Sequence, residues 1–168
     1  DDFTFTANAG DSVVAGVAET IAGSTLTPRI TLIAPGGGQL FTVAGAVGNG
    51  GTAFNLPTTG TYTLRITDNN TTNTGAYAVS LAKLPGAFVN SGDGGAVTSG
   101  QYVSGTLDAA DLDIYTISAN AGGSLTAFAG ELTGQTIDTA MTIVGPSGQN
   151  IFSSFNAAVV STTEVTLP

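Results

Sequence analysis

The last third of this chain repeats its first third, and no other feature narrows the possible folds as far. Phe3-Thr4-Phe5-Thr6-Ala7-Asn8-Ala9-Gly10 returns as Tyr115-Thr116-Ile117-Ser118-Ala119-Asn120-Ala121-Gly122. Further on, Glu19 matches Glu131, Thr31-Leu32 matches Thr142-Ile143, Pro35 matches Pro146, and Leu56-Pro57 matches Leu167-Pro168. The stretch from Thr58 to about Asp111 occurs once. The spacing between matched residues, about 110, is the size of one domain, so the chain carries about one and a half copies of a domain-sized unit.

Within each copy the apolar residues recur with a period of two, the mark of a half-buried strand. Phe3 and Phe5 alternate with Thr4 and Thr6, and a second run spans Ser12 to Glu19. Arg29 to Ile33 alternates again and is closed by Pro35-Gly36-Gly37-Gly38, a strong turn signal, so Gln39 to Ala44 reads as the return strand of a hairpin. Asn49-Gly50-Gly51 reads as another turn. The cleanest alternation puts Tyr62, Leu64 and Ile66 on one face and Thr61, Thr63, Arg65 and Thr67 on the other. Its partner strand is expected at Ala76 to Leu81, with Tyr77, Val79 and Leu81 facing inward. Glycine and β-branched residues interrupt every helical window. The chain is therefore expected to be all-β, with residues 1–84 forming a first module, 85–99 a linker, and 100–168 a second module opened by a strand at Gln101 to Leu107.

Charge and composition remove several function classes. Charged residues make up only 9% of the chain, and twelve acids oppose three bases, for a net charge of −9. Such a surface repels phosphate backbones and anionic lipid, so nucleic acid and membrane-surface partners are disfavoured. No apolar run reaches the length of a membrane span, so membrane insertion is not expected. The 168 residues contain no cysteine and no histidine, which removes disulfides, thiolate metal sites and histidine-based triads. A serine–lysine pair would have to use Lys83, at a strand end. Gly36-Gly37-Gly38 has no following lysine and no helix to open, so a turn is the better reading than a phosphate cradle.

The acidic run Leu107-Asp108-Ala109-Ala110-Asp111-Leu112-Asp113 supports two readings. Asp108, Asp111 and Asp113 offer hard oxygen ligands at close spacing, as a calcium site requires. The run lacks the glycine and terminal glutamate of a helix-loop-helix calcium loop, which favours a solvated, turn-forming loop. Asp1 and Asp2 hold the corresponding place in the first copy. Two acids would also serve a glycosidase, but the chain has no tryptophan to line a sugar cleft. Overlapping Asn-x-Thr sequons at Asn69 and Asn70 mark a surface loop open to glycosylation in a host that performs it.

Asp111-Leu112-Asp113-Ile114-Tyr115-Thr116-Ile117, followed by Ala119-Asn120-Ala121-Gly122, resembles the pre-peptidase C-terminal domain family of secreted bacterial proteins. The hairpins at Pro35-Gly36-Gly37-Gly38 and Pro146-Ser147-Gly148 match that family's pattern, as do Gly60-Thr61-Tyr62-Thr63-Leu64 and Gly75-Ala76-Tyr77-Ala78-Val79. The resemblance implies tandem jelly-roll-like antiparallel β-sandwiches, located outside the cell or on its surface, with calcium or polymeric ligands in some relatives. It carries over no catalytic residue. In that frame the first module lacks its opening strand and the second lacks its C-terminal hairpin, so each is incomplete at one edge. Unpaired edges are avoided in soluble proteins. The expectation is a window on a longer array, or edges completed by identical subunits or neighbouring modules. The leading functional reading is a non-enzymatic structural repeat of a filament, surface layer or adhesin stalk. The alternative is an accessory domain that targets a secreted hydrolase to a polysaccharide or protein polymer.

Overall fold

The computed structural model describes residues 1–44, 53–86, 93–134, 137, 139–157, 159–161 and 164–168. The described residues contain strands and turns and no helix, so the protein is all-β. The first copy and the unique stretch form β1 (Asp2–Ala7), β2 (Ser12–Glu19), β3 (Pro28–Ile33), β4 (Gln39–Ala44), β5 (Phe54–Asn55), β6 (Gly60–Asp68) and β7 (Tyr77–Leu84). After them come β8 (Gly94–Val97), β9 (Ile114–Ile117), β10 (Ser124–Leu125), β11 (Phe128–Gly130), β12 (Thr139–Val144), β13 (Asn150–Ala157), β14 (Val159–Ser161) and β15 (Val165–Thr166).

Two antiparallel sheets, ordered β1-β6-β3-β4 and β5-β2-β7, contribute side chains to one buried cluster. Strand β6 explains its centre. Tyr62, Leu64 and Ile66 are buried while Thr61, Arg65 and Thr67 are exposed, as strict period-two alternation dictates. In the registers Phe3↔Leu64 and Phe5↔Tyr62 on one side, and Ile30↔Ile66 and Leu32↔Leu64 on the other, β6 is clamped between β1 and β3. Phe5 stacks on Tyr62 with ring centroids 5.6 Å apart. The Tyr62 hydroxyl, carried into the interior, donates to the Thr58 carbonyl at 2.5 Å, so the buried polar atom is satisfied locally. Val13 and Val17 of β2 close the cluster from the other sheet.

The sequence repeat is also a repeat of backbone hydrogen bonds. Gly10 N–H donates to Leu56 O at 2.8 Å and Leu56 N–H to Asp11 O at 2.7 Å; Gly122 donates to Leu167 O at 2.9 Å and Leu167 to Gly123 O at 2.8 Å. Gly10 and Gly122 both sit at positive φ, 90° and 77°, which is why glycine stands at this turn in each copy. Pairing of β2 with β5 at Ser12↔Asn55 is matched by β10 with β15 at Ser124↔Thr166. The β3–β4 hairpin carries an irregularity between Leu32 and Ile33, and β12–β13 carries one between Ile143 and Val144.

Three expectations need correction. Residues 101–107 form no strand; the strand is β8, inside the segment read as a linker, and it pairs in parallel with β9 from Gly94↔Ile114 to Val97↔Ile117. Gly94 and Gly95 take φ of 113° and 112°, a backbone state only glycine adopts freely, so two residues that read as linker punctuation instead permit an extended pairing. Leu81 is not inward: it is 38% exposed and outside both buried clusters. Strand β2 is buried on both faces, not one. Val14, with Ala53 and Ala82, is covered by Leu112, Ile114 and Val144 from beyond the unique stretch. The turn expected at Asn49-Gly50-Gly51 lies outside the described residues.

Candidate functional site

The strand edges of the second copy are the feature that distinguishes it from the first. Strand β9 corresponds to β1 and β12 to β3, the two strands that flank β6. Among the described residues β9 pairs only with β8 and β12 only with β13. Ile117 is 41% exposed and Tyr115 38%. Their counterparts Phe5 and Phe3 have Tyr62 and Leu64 opposite them, but Phe3 is itself 45% exposed, so the copies differ in strand pairing and not in exposure at that position. Strands β10 and β11 correspond to β2, which pairs with β7 along its whole length from Ser12↔Leu84 to Glu19↔Tyr77. Among the described residues β10 pairs only with β15 and β11 only with β14, and Phe128 is 74% exposed.

What fixes these edges in place is contact with the first copy. The turn between β12 and β13 inserts at the start of β2, where the Ser12 hydroxyl donates to the Gly148 carbonyl. A side chain at Gly148 would stand 2.8 Å from Leu84 O and 3.2 Å from Ser12 N. Ile114 and Val144 pack on the Val14 and Ala82 face. One end of each open strand is thus anchored on a formed sheet.

The acidic residues fall into a different grouping from the one read in sequence. Asp108 and Asp111 close a turn, with Asp111 N–H donating to Asp108 O at 3.1 Å and Ala110 at φ 64°. The Asp111 carboxylate accepts from Leu112 N–H at 2.8 Å. Asp113 is instead joined by Asp111 and by Asp93. Burial, then the charges of Asp111 and Asp93, push the Asp113 carboxyl above the usual carboxylate range. Gly105 lies between Asp93 and Asp113; a side chain there would come within 2.7 Å of Asp113 Oδ2 and 3.1 Å of Asp93. Asp93 Oδ2 accepts from Thr106 N–H at 2.6 Å, whereas Asp113 Oδ1 is buried with no hydrogen-bond partner among the described residues. Among those residues no three acidic side chains come close enough to hold a metal ion. Sequence reading missed Asp93 because twenty residues separate it from Asp113; only the parallel β8–β9 pairing brings them together.

The corresponding acid in the first copy is satisfied. Asp113 matches Asp1, whose carboxylate accepts from the Tyr77 hydroxyl of β7. Asp2 forms a two-point pair with Arg65 of β6, both contacts at 2.8 Å. Residues of the unique stretch therefore engage both acids at the start of β1, Tyr77 by a hydrogen bond to Asp1 and Arg65 by an ion pair with Asp2.

The remaining candidates are structural. Lys83 Nζ donates to Asp11 Oδ2 at 3.2 Å and to Pro85 O at 2.6 Å. The Asn8 backbone N–H, and then Lys83, hold the Asp11 carboxyl below its ordinary value against the cost of burial. Gly37 occupies a tight turn at φ 84°, its N–H donating to Ala34 O at 2.8 Å. In the sequon loop Arg29 Nε donates to Asn69 Oδ1 at 2.9 Å, while Asn70 is exposed. Glu19 and Asp108 face an open groove beside Ile21 and Ala78. No protein-family model, no curated protein and no solved structure matches this chain.

Proposed function

We propose that the chain is a non-enzymatic structural repeat of an extracellular bacterial assembly, a filament, surface layer or adhesin stalk, made of tandem jelly-roll-like β-sandwich modules joined by completion of open strand edges. The observation that carries this reading is that, among the described residues, β9 pairs on one edge only, with β8, and β12 on one edge only, with β13. Two sheets sharing one cluster, and a tyrosine hydroxyl turned back on the backbone four residues upstream, are features of sandwich architecture. Open edges with exposed aromatic and β-branched residues pair with further strands, and contacts of this heterologous kind need not close into a ring. The resemblance to secreted bacterial modules supports an extracellular location. Calcium at Asp108, Asp111 and Asp113 is not part of the proposal.

Negative-stain electron microscopy of the purified chain across a concentration series tests it. Regular filaments or sheets are expected. Discrete small particles at millimolar concentration would refute it and leave the accessory targeting domain as the reading to pursue.

A further inference from the structure

The polar loop between β6 and β7 carries two overlapping acceptor sequences for N-linked glycans, Asn69-Asn70-Thr71 and Asn70-Thr71-Thr72. No other asparagine of the chain has serine or threonine two residues on. The sequence pattern does not choose between the two, because each satisfies the Asn-x-Thr rule. The structure separates them.

Asn69 is held. It is half-buried, and its Oδ1 accepts from Arg29 Nε at 2.9 Å and from Nη2 of the same guanidinium. Its backbone N–H donates to Thr27 O at 2.8 Å. Turning this carboxamide out to meet a sugar donor breaks a charge-assisted contact that ties the loop to β3. Asn70 is exposed, and its carboxamide makes no hydrogen bond among the described residues. Thr72, two residues on, is exposed as well, and its hydroxyl is equally free among those residues. The backbone beneath these side chains is ordered by Asp68, the last residue of β6. Its carboxylate accepts from the N–H groups of Thr27 at 3.1 Å, Thr72 at 3.1 Å and Asn73 at 3.0 Å. Thr71, at φ 66°, turns the chain between the acceptor and its threonine.

We infer that Asn70, and not Asn69, is an acceptor site for an N-linked oligosaccharide transferred to the folded protein. In the transfer, Asn70 Nδ2 bonds to the anomeric carbon of an oligosaccharide carried on a polyprenyl pyrophosphate. The bond from that carbon to the pyrophosphate oxygen breaks, the pyrophosphate leaves with the electron pair, and the amide proton passes to the transferase. Thr72 supplies the hydroxyl of the recognised sequence, and Asp68 holds the loop in the form that presents both side chains. A bulky, hydrated group at this loop adds solvation to a chain in which only 9% of residues are charged. The inference takes the extracellular location from the assembly reading, and the joining of strand edges plays no part in it.

The test incubates the folded full chain with a purified single-subunit oligosaccharyltransferase and a polyprenyl-pyrophosphate oligosaccharide, followed by intact and peptide mass spectrometry. A synthetic peptide of residues 66–75 serves as the reference acceptor. Addition of one glycan is expected, on the fragment that holds Asn70. Asn70→Gln and Thr72→Ala are each expected to abolish transfer, whereas Asn69→Gln and Thr71→Ala leave it unchanged. In Asn70→Gln, adding Arg29→Ala releases the Asn69 carboxamide and is expected to restore transfer, now at Asn69. Circular dichroism checks that each variant is folded. Transfer to the peptide but not to the folded chain, transfer to neither, or modification of Asn69 in the unaltered chain would overturn the inference. Filaments formed by a chain that accepts no glycan would remove the acceptor site and keep the assembly reading. Transfer to a chain that forms no assemblies would do the reverse.

Discussion

Replacing Leu32 and Ile117 by alanine, one at a time, measures how different the two copies are. Leu32 is 0% exposed at the centre of the shared cluster, between Leu64 and Phe41 in register. Leu→Ala removes three carbons, worth about 0.8 kcal/mol each in transfer, or roughly 2.4 kcal/mol. The cavity left in a packed interior raises the cost to about 3–4 kcal/mol, inside the range known for buried leucines. Ile117 is 41% exposed on a strand that pairs only with β8 among the described residues, so its transfer loss is smaller and no closed cavity remains. About 1 kcal/mol is expected there. For a chain of this length 1 kcal/mol moves the midpoint by about 2–4 °C, so Leu32→Ala should lower it by about 10 °C and Ile117→Ala by about 3 °C. Thermal unfolding followed by circular dichroism gives the midpoints, and hydrogen exchange assigns each transition to β3 and β6 or to β9 and β12. Equal losses for the two variants would refute the reasoning, because Ile117 would then sit in a core as closed as that around Leu32.

Further outcomes follow from single contacts. Gly148→Ala meets both a positive φ of 87° and the Leu84 carbonyl at 2.8 Å, whereas Gly37→Ala meets only a positive φ of 84°. Both should cost about 1 kcal/mol from backbone strain, with an added loss of exchange protection in β12–β13 for Gly148→Ala alone. Asp11 has a folded pKa below its unfolded value, so its stabilising contribution is present above about pH 4 and lost as pH falls through the folded value; Asp11→Asn should flatten urea midpoints over that interval. Asp113 runs the other way. Its folded pKa is raised, so stability is gained as pH falls from the folded value toward about 4, and Asp113→Asn should be the more stable protein at pH 7, with that advantage shrinking on acidification in the same urea series. Millimolar calcium is expected to leave the thermal midpoint unchanged; a rise abolished by Asp111→Asn would return Asp108, Asp111 and Asp113 to candidacy as ligands.

The grouping of acids at the start of β9 was only partly legible in the amino-acid sequence. The repeat marks which strands correspond. Asp113 could be singled out as an acid before a strand, but its partner was misread. Asp108, five residues away, forms a turn with Asp111, while Asp93, twenty residues away, lies beside Asp113 because β8 and β9 run parallel. Separation along the chain carries no information about such a pair.

Local patterns alone determined the all-β class, most strand positions and the paired turns. Alternation at Tyr62, Leu64 and Ile66 leaves one way to bury them, and glycine at positions 10, 37, 122 and 148 is required by positive φ in the turns. Three things needed tertiary structure. Strand β2 is buried on both faces because residues 112, 114 and 144 pack on its outer side, a contact with no signature in β2 itself. Leu81 faces solvent although its spacing matches Tyr77 and Val79, since burial depends on whether a second layer reaches the end of the sheet. Gly94 to Val97 became a strand and not a linker because the edge of β9 was available to pair. In each case the sequence sets which face of a strand is apolar, and the arrangement of neighbouring strands decides whether anything covers it.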